Sequence, residues 1–383
     1  MKAVIAIDSF KGSMSSMEAG NAAAEGIRRV LPDAEVRVCP LADGGEGTVE
    51  ALVLGLGGTL HTVRVTGPLG QPVDCRYGIV EEQGLGVIEM AGAAGITLTS
   101  AGDRNPLYAT TFGVGEVIRD AIGKGCRRFL VGIGGSATND GGLGMLQALG
   151  YEFTCSDGKE APRGAVGLRD IVKVSGGHVI PELKECTFRV ACDVTSPLCG
   201  TQGASAVYGP QKGATPDMVE QMDCWLYHFA EITCDWKRDS TVHADIPGTG
   251  AAGGLGFAFL AYTDATLESG IQIVLEETRL EEQIRQADLV ITGEGRLDGQ
   301  TVMGKAPAGV AGLAKKYGIK VIAFSGCVTP QARACNEAGI DAYFPILRTV
   351  TTLEEAMEPV NAQENMKDTV EQVMRLIAVS RNK

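Results

Sequence analysis

The sequence lacks the features that mark membrane and secreted proteins. No apolar run reaches the roughly 18 residues that a membrane-spanning helix needs. The N-terminal stretch MKAVIAIDSF begins a strand pattern at once and does not show the layout of a signal peptide. We therefore expect a cytoplasmic protein.

Positive charge is also in short supply. Lysine and arginine number 34 against 47 aspartates and glutamates, which gives a formal net charge of -13. Nucleic acids and membrane surfaces are polyanionic, so they would repel such a chain. We expect a small-molecule partner, no nucleic acid and no membrane, and either a monomer or a homodimer.

Histidines and cysteines are absent from metal-binding patterns. The four histidines lie outside any metal or serine-hydrolase motif, and the 11 cysteines form no CxxC pair. The cysteine number is odd and the positions are scattered. We interpret the thiols as reduced and mostly buried, and we expect no structural zinc.

The chain is long, and it contains many apolar residues and glycines. Its 383 residues, 44% of them hydrophobic, are enough for two domains with real cores. The 52 glycines lie in short clusters at the ends of apolar runs. That distribution is typical of loops that face a ligand.

Strand and helix patterns alternate at both ends of the chain. Lys2–Asp8 predicts a strand, and Ser15 with Glu18 fits a capping box at the start of a helix that ends before Pro32. Between them, β-type runs from Leu60 to Met90 are separated by turn signals and predict an antiparallel meander. Further strands are predicted at Glu35–Cys39, Phe129–Ile133, Thr187–Ala191, Ala287–Thr292, Lys320–Ser325 and Ala342–Pro345, and helices at Ala109–Ile122, Gly142–Leu149, Pro216–Cys234, Ala306–Tyr317 and Glu364–Val379.

This order predicts an α/β fold with two α/β domains. We expect residues 1–80 and 280–383 to form a discontinuous doubly wound domain, Rossmann-like or flavodoxin-like. Residues 81–279 would form an inserted domain with a mixed sheet, and the active site would lie in the cleft between the two. Three sequential domains are the alternative.

The stretch Arg127–Gly142, RRFLVGIGGSATNDGG, is the most informative segment. An apolar strand ends there in a loop with backbone N–H groups at Gly134, Gly135 and Ser136 and hydroxyls at Ser136 and Thr138. Such clusters of N–H groups bind anions well. The loop is therefore either a cradle for a phosphate or carboxylate, or a tight turn between strand and helix.

Two familiar glycine templates fit this chain poorly. Gly132–Ala137 matches the dinucleotide fingerprint, but the expected acidic residue about 20 positions later falls at Asp157, in a polar turn. Gly299–Ala306 nearly matches the phosphate-binding P-loop, although Ala306 replaces the hydroxyl that would hold Mg²⁺. Lys305, just before a predicted helix with Pro307 in its first turn, is either a phosphate ligand or a surface lysine.

Seven ordered motifs together resemble the type I glycerate kinase family. They are Asp8–Gly12, Ala42–Thr48, Gly132–Gly142, Cys192–Thr195, Gly209–Ala214, Gly248–Gly254, and Thr292–Gly295 with Asp298, Gln300–Thr301, Gly304–Lys305 and Pro307. The match spans nearly the whole chain, with one departure, Ser196, where asparagine is expected before Pro197. The resemblance implies ATP-dependent phosphorylation of D-glycerate, a two-domain fold with a cleft, and Mg²⁺ as the companion of ATP.

The resemblance and the residue types suggest roles within these motifs. Asp193 is the expected base and Asp43 the second candidate, because each lies in a loop where a carboxylate can reach a ligand. Glu294 and Asp298 are the expected Mg²⁺ ligands. Lys11 is grouped with the catalytic residues, and the expected cofactor-binding residues are Gly134, Gly135, Ser136, Thr138, Lys212, Gly293, Gly295 and Lys305.

The expected product is 2-phosphoglycerate, although the sequence does not decide which hydroxyl is phosphorylated. Two alternatives belong to other classes. An NAD(P)-dependent hydroxy-acid oxidoreductase would depend on the glycine fingerprints, and a non-catalytic sugar-acid binding protein would bind glycerate without consuming ATP.

Overall fold

The computed structural model describes residues 1–42, 44–45, 47–237 and 243–381. These residues form two compact units. The first unit comprises the described residues of Met1–Asp43, Glu50–Leu56 and Ile271–Lys383, and the second those of Gly44–Val49 and Gly57–Gly270.

Strands and helices alternate along most of the chain. The strands are β1 Lys2–Ile7, β2 Glu35–Val38, β3 Thr59–Thr66, β4 Pro72–Val80, β5 Leu85–Glu89, β6 Arg128–Gly132, β7 Glu152–Cys155, β8 Ile171–Ser175, β9 Thr187–Ala191, β10 Asp264–Glu268, β11 Leu289–Leu297, β12 Lys320–Val328 and β13 Ala342–Pro345. The helices are α1 Ser16–Val30, α2 Thr48–Leu56, α3 Ala91–Ala94, α4 Phe112–Gly123, α5 Leu143–Ala148, α6 Ala204–Tyr208, α7 Pro216–Lys237, α8 Ala251–Tyr262, α9 Gly270–Glu277, α10 Leu280–Ile284, α11 Ala306–Lys315, α12 Ala334–Glu337, α13 Leu353–Met357 and α14 Pro359–Arg381. No helix in the described ranges is long and apolar enough to cross a membrane.

The first unit is built on a parallel sheet with the strand order β13-β12-β11-β1-β2. The chain leaves β1 towards β2 on one side, and β11, β12 and β13 extend the sheet on the other. The order therefore reverses between β1 and β11, and in open α/β sheets ligands bind beyond the carboxyl ends of the strands at such a point. The predicted doubly wound sheet is confirmed.

Helices α1 and α14 cover one face of this sheet. The predicted capping box at the start of α1 is present, because Ser15 and Glu18 bond to each other's backbone N–H groups. An ideal Cβ at Gly26 would lie 2.5 Å from the carbonyl oxygen of Lys367. Glycine is therefore what lets α1 and α14 approach so closely.

The second unit is built on a mixed sheet with the order β10-β9-β6-β5-β4-β3. The first four of these strands run parallel, and β5, β4 and β3 form the predicted antiparallel meander. Strands β7 and β8 form a separate antiparallel pair that sequence analysis did not find. The α/β class with a parallel and a mixed sheet is confirmed.

The structure differs from the sequence analysis at two places. Residues 57–80, which were expected in the first unit, lie in the second unit together with Gly44–Val49, because β3 and β4 pair with β5. The strand predicted to end at Thr292 continues to Leu297, since its ladder with β12 extends to the pair Leu297 and Val328. Glu294 and Gly295 therefore lie on a strand and not in a loop.

Candidate active site

In the first unit, a buried carboxylate near the carboxyl end of β11 is held by a hydroxyl and an ammonium. Glu294 is 8% exposed. Its Oε1 accepts a hydrogen bond of 2.6 Å from Thr301 Oγ1, and its Oε2 lies 3.8 Å from Lys305 Nζ. Lys305 immediately precedes α11, whose first turn contains Pro307. An ammonium and the amide dipoles of a helix N-terminus thus lie together, which suits phosphate.

Asp298 follows at the end of the same strand. Its Oδ1 accepts the N–H of Gln300 at 2.9 Å, and its Oδ2 lies 3.3 Å from Arg296 Nε. The hydroxyl of Thr301 accepts the N–H of Asp298 at 3.1 Å. Through this one side chain, Thr301 connects the two carboxylates that were predicted to bind Mg²⁺.

The end of β1 lies next to this strand. The N–H of Asp8 donates to the carbonyl of Gly293 at 2.9 Å, and an ideal Cβ at Gly295 would lie 3.8 Å from the backbone nitrogen of Lys11. Lys11 itself is exposed, in a turn closed by pairing of Phe10 with Met14. The turn after β1 and the carboxylates of β11 therefore lie at the point where the strand order reverses.

Gly293 and Gly295 were predicted to lie in a ligand-facing loop, but the structure places both on β11. An ideal Cβ at Gly293 would lie 2.0 Å from the carbonyl oxygen of Phe324 on β12. At Gly295 the nearest atom would be the Cα of Phe10, at 3.5 Å. Gly293 is required by close packing of neighbouring strands, and Gly295 lets the turn after β1 approach β11.

In the second unit, the predicted anion loop follows β6. Gly134 and Gly135 are exposed, and Gly135 has a positive φ of 73° that favours glycine. The carbonyl of Gly135 accepts the N–H of Ile96 at 2.8 Å, and Ala137 N–H donates to the carbonyl of Ala94 at 2.9 Å. The loop backbone is thus supported from one side while its glycines face solvent.

A second glycine turn lies across the ends of the neighbouring strands. An ideal Cβ at Gly132 would lie 2.4 Å from the carbonyl oxygen of Gly44, and one at Gly44 would lie 2.7 Å from the Cβ of Ala191. These contacts bring the turn at Gly44–Gly45 to the carboxyl ends of β6 and β9. Asp43, the second candidate base, lies outside the described residues.

Asp193 is exposed, two residues beyond β9. Its Oδ1 accepts hydrogen bonds from Ser269 Oγ at 3.0 Å and from the N–H of Gly270, the first residue of α9, at 3.1 Å. Sequence analysis missed a second carboxylate in this unit, Glu89 at the end of β5, which accepts the N–H of Val49 at 2.8 Å. Its only sequence signal was its position as an acid at the end of an apolar strand.

Thr138 and Lys212 do not lie where sequence analysis expected them. Both are buried, with Lys212 only 2% exposed, and Lys212 Nζ donates to the carbonyl of Thr138 at 2.6 Å. Burial lowers the pKa of Lys212 to about 7. A lysine that binds an external ligand would need a path to solvent, so the geometry favours an internal role.

Asp140 is buried beside these residues. Its carboxylate accepts hydrogen bonds from the backbone N–H and hydroxyl of Thr111 and from the N–H groups of Gly142 and Gly144. Burial raises the pKa of Asp140, and these donors oppose that change. Both of its carboxylate oxygens accept hydrogen bonds inside the protein, so Asp140 stabilises the loop.

The comparisons with known proteins agree over the whole chain. The model of the glycerate kinase family matches residues 3–378. A glycerate kinase from Haemophilus influenzae is 46% identical over 99% of this chain and 99% of its own length. The chain belongs to the glycerate kinase family. The resemblance seen in the motifs is thereby confirmed, as is the assignment to an enzyme family of kinases.

Two further relatives fit the same family. A glycerate 2-kinase from Escherichia coli K12 is 46% identical over 93% of this chain and 93% of its own length. A crystal structure of a candidate glycerate kinase 2 from Salmonella typhimurium LT2 has a TM-score of 0.90, with 43% identity, and covers 100% of this chain and 99% of the solved one. The glycerate kinase fold therefore extends over both units.

The chain after β6 differs from a dinucleotide-binding site, although its glycines match the fingerprint. In a dinucleotide site the glycine turn leads directly into the helix that faces the pyrophosphate. Here α5 begins only at Leu143, well after Gly134, and has six residues. The structure therefore lacks, at this loop, the helix that an oxidoreductase of that type would use.

Proposed function

We propose that this chain transfers the γ-phosphoryl group of ATP to D-glycerate and forms 2-phosphoglycerate. The observation that carries the proposal is the set Glu294, Thr301 and Lys305, where a hydroxyl and an ammonium hold a buried carboxylate at the sheet's reversal point. Phosphoryl transfer depends mainly on positioning and on neutralising phosphate charge. In this set, Thr301 and Lys305 hold Glu294 in position, and the Lys305 ammonium supplies positive charge.

Lys305 and Lys11 are proposed to bind phosphate or carboxylate oxygens. Lys305 precedes α11, so its ammonium acts beside the N–H dipoles of that helix. Lys11 is exposed on the neighbouring turn after β1. In the second unit, the exposed backbone at Gly134 and Gly135, with Ser136, is proposed to bind another anionic group of the substrates.

Asp193 is proposed as the base. It would accept the proton of the attacking hydroxyl of glycerate as that oxygen bonds to the γ-phosphorus and the bond to the β-phosphate oxygen breaks, releasing ADP. Its contacts with Ser269 and Gly270 fix one carboxylate oxygen, which would hold the group in one orientation. Asp43 is the second candidate.

The chemistry of Glu294 and Asp298 fits Mg²⁺. Mg²⁺ takes oxygen ligands and in kinases is held by one or two carboxylates together with phosphate oxygens. Both carboxylates lie at the end of β11, and Thr301 connects them. No group of three or more histidine, cysteine or acidic side chains that could hold a metal occurs in the described ranges, and a kinase site of this type does not require one. When bound, Mg²⁺ would neutralise charge on the phosphates.

The name of one relative supports the proposed product. The E. coli relative, 46% identical, is named a glycerate 2-kinase. Which hydroxyl reacts depends on how glycerate is rotated beneath the γ-phosphate.

The test is ³¹P NMR of the purified protein with Mg·ATP and D-glycerate, beside a control without glycerate. We expect a new phosphomonoester signal that matches 2-phosphoglycerate and depends on glycerate. A signal that matches 3-phosphoglycerate would keep the kinase but reverse the site of phosphorylation. Intact ATP and no new signal would overturn the proposed activity.

A further inference from the structure

The loop Thr138–Gly142, which we call the anchor loop, is held at successive residues by different parts of the second unit. Lys212 Nζ donates to the carbonyl of Thr138 at 2.6 Å, and Asn139 Nδ2 donates to Ser205 Oγ at 2.9 Å. The N–H of Gly141 donates to the carbonyl of Gly253 at 2.9 Å. Two residues, Ser136 and Ala137, separate the anchor loop from the exposed glycines at 134 and 135.

Lys212 differs from the other anchors because its side chain carries a charge into the interior. It is 2% exposed, and its acceptor is a neutral backbone carbonyl. The negative charge of Asp140 acts on it electrostatically and opposes the lowering of its pKa by burial. Placing a lysine there is costly unless its donor serves a purpose that an apolar residue cannot serve.

The surrounding backbone is built to keep the lysine on the Thr138 carbonyl. Lys212 ends a short 3-10 turn closed by Gly213 with φ of 94°, and an ideal Cβ at Gly213 would lie 2.5 Å from the carbonyl oxygen of Arg104. On the other side, an ideal Cβ at Gly253 would lie 2.1 Å from the carbonyl oxygen of Thr138. That carbonyl is therefore confined between the ammonium and a backbone in left-handed conformation.

Two further polar atoms of the anchor loop are buried. Thr138 Oγ1 and Asn139 Oδ1 have no hydrogen-bond partner among the described residues. Without Lys212, the carbonyl of Thr138 would lose its ammonium donor in the same buried region. A movement of the loop would relieve that deficit, and the exposed glycines precede the loop in the chain.

We infer that Lys212 is a positioning residue that fixes the anion-binding backbone at Gly134–Ser136 by holding the carbonyl of Thr138. It does not touch the substrates. This inference rests on the proposed function of that loop as an anion site. A charge-assisted hydrogen bond is about twice as strong as a neutral one. Because burial lowers the pKa of Lys212 to about 7, releasing this lysine from the loop costs more free energy at pH 8.5 than at pH 6.

The first test compares wild type with Lys212→Met, which keeps an unbranched side chain as far as Cε and removes the donor. We expect KM for ATP or glycerate to rise about 10- to 100-fold with a smaller change in kcat, since charged hydrogen bonds contribute enough for that range. Wild-type KM should vary between pH 6 and 8.5 by more than the titration of ATP explains. We expect that additional variation to be absent in the variant. Wild-type KM values and an unchanged pH profile in folded Lys212→Met would overturn the inference.

The second test uses wild type alone, so it remains decisive if the variant does not fold. Hydrogen exchange is measured by mass spectrometry at pH 6 and 8.5 and corrected for intrinsic rates. We expect peptides covering residues 134–142 to gain protection at the higher pH, because opening the loop would expose Lys212 and let it bind a proton that it lacks when buried. Peptides covering β8 in the same unit should not gain protection. Equal changes in both would overturn the inference. Because exchange needs no turnover, failure of the proposed activity would be seen separately in the NMR experiment.

Discussion

The hydroxyl of Thr301 donates to Glu294 Oε1 at 2.6 Å and accepts the N–H of Asp298 at 3.1 Å. One threonine thus ties together the two acidic residues of β11. It also positions Glu294 relative to Lys305, whose ammonium lies 3.8 Å from the other carboxylate oxygen. This arrangement determines what substitutions in the first unit should do.

Replacement of Glu294 by glutamine should reduce kcat/KM for glycerate phosphorylation about 10²- to 10³-fold, the range seen when one preorganised charge-stabilising group is removed. The amide keeps the shape but loses the charge that attracts Mg²⁺ and Lys305. The measurement is kcat/KM at varied Mg²⁺. Thr301→Val is the matched control: it removes the hydroxyl and leaves both carboxylates, so its loss should be smaller. An equal loss in both variants would assign the effect to the local structure.

Replacement of Lys305 by alanine should raise KM for ATP about 10- to 100-fold, because a hydrogen bond to a charged group contributes about 1.5–3 kcal/mol. Steady-state kinetics with ATP varied would measure this. Lys320→Ala is a suitable control, because Lys320 is 73% exposed in its side chain and contacts only Asp341 among the ion pairs of the described chain. An unchanged KM for ATP in Lys305→Ala would contradict a phosphate-binding role.

Replacement of Asp193 by asparagine should lower kcat about 10²- to 10⁴-fold, the usual contribution of a general base. Ser269→Ala removes one partner of Asp193 Oδ1 and should have a much smaller effect. Asp43→Asn is measured in parallel. If Asp193→Asn retains nearly full turnover while Asp43→Asn loses it, the base is Asp43.

Replacement of Gly253 by alanine should destabilise the protein by roughly 1–3 kcal/mol, as overpacking of a tight site usually does. Its ideal Cβ would lie 2.1 Å from the carbonyl oxygen of Thr138, and its φ of 70° is unfavourable for a side chain. Gly123→Ala, at the end of α4, is the control, because its ideal Cβ meets no described atom within 4 Å. Urea unfolding would measure both variants, and similar values for the two would contradict the packing argument.

The free energy of unfolding should rise with pH between about 7 and 10.5 because of Lys212. Burial lowers its pKa from the ordinary 10.5 to about 7, so in that window the unfolded chain binds a proton that the native protein does not. Stability increases with pH wherever the unfolded state binds more protons, and the contribution is lost as pH falls through 7. Unfolding curves at pH 7 and 9.5 should therefore differ more in wild type than in Lys212→Met. Equal differences would contradict the lowered pKa.

Several features were predictable because their causes are local. The capping box at Ser15 and Glu18, the strand at Thr187–Ala191 and the helix start after Lys305 follow from side-chain spacing and turn chemistry. The boundary at residue 80 was not predictable in this way. Whether β3 and β4 join one sheet or the other depends on pairing with β5, and their own sequences do not encode that choice.

The roles of individual site residues were likewise predictable only where their causes are local. Sequence motifs located Glu294, Asp298 and Lys305 in one segment, but only the ladder with β12 decided that Glu294 lies on a strand. Lys212 looked like a ligand-binding lysine, and the interior contact with Thr138 assigns it elsewhere. A side chain's direction depends on how its turn packs, which is a long-range property.

The sequence by itself determined the α/β class, the glycine loops at strand ends and the family resemblance, because periodicity, capping and ordered motifs are written in neighbouring residues. Only the tertiary structure decided the strand order, the union of Asp8, Lys11 and Glu294 near one reversal point, and the burial of Lys212 and Thr138. These depend on contacts between residues far apart in the chain, whose free energy arises only when the sheets and helices are assembled.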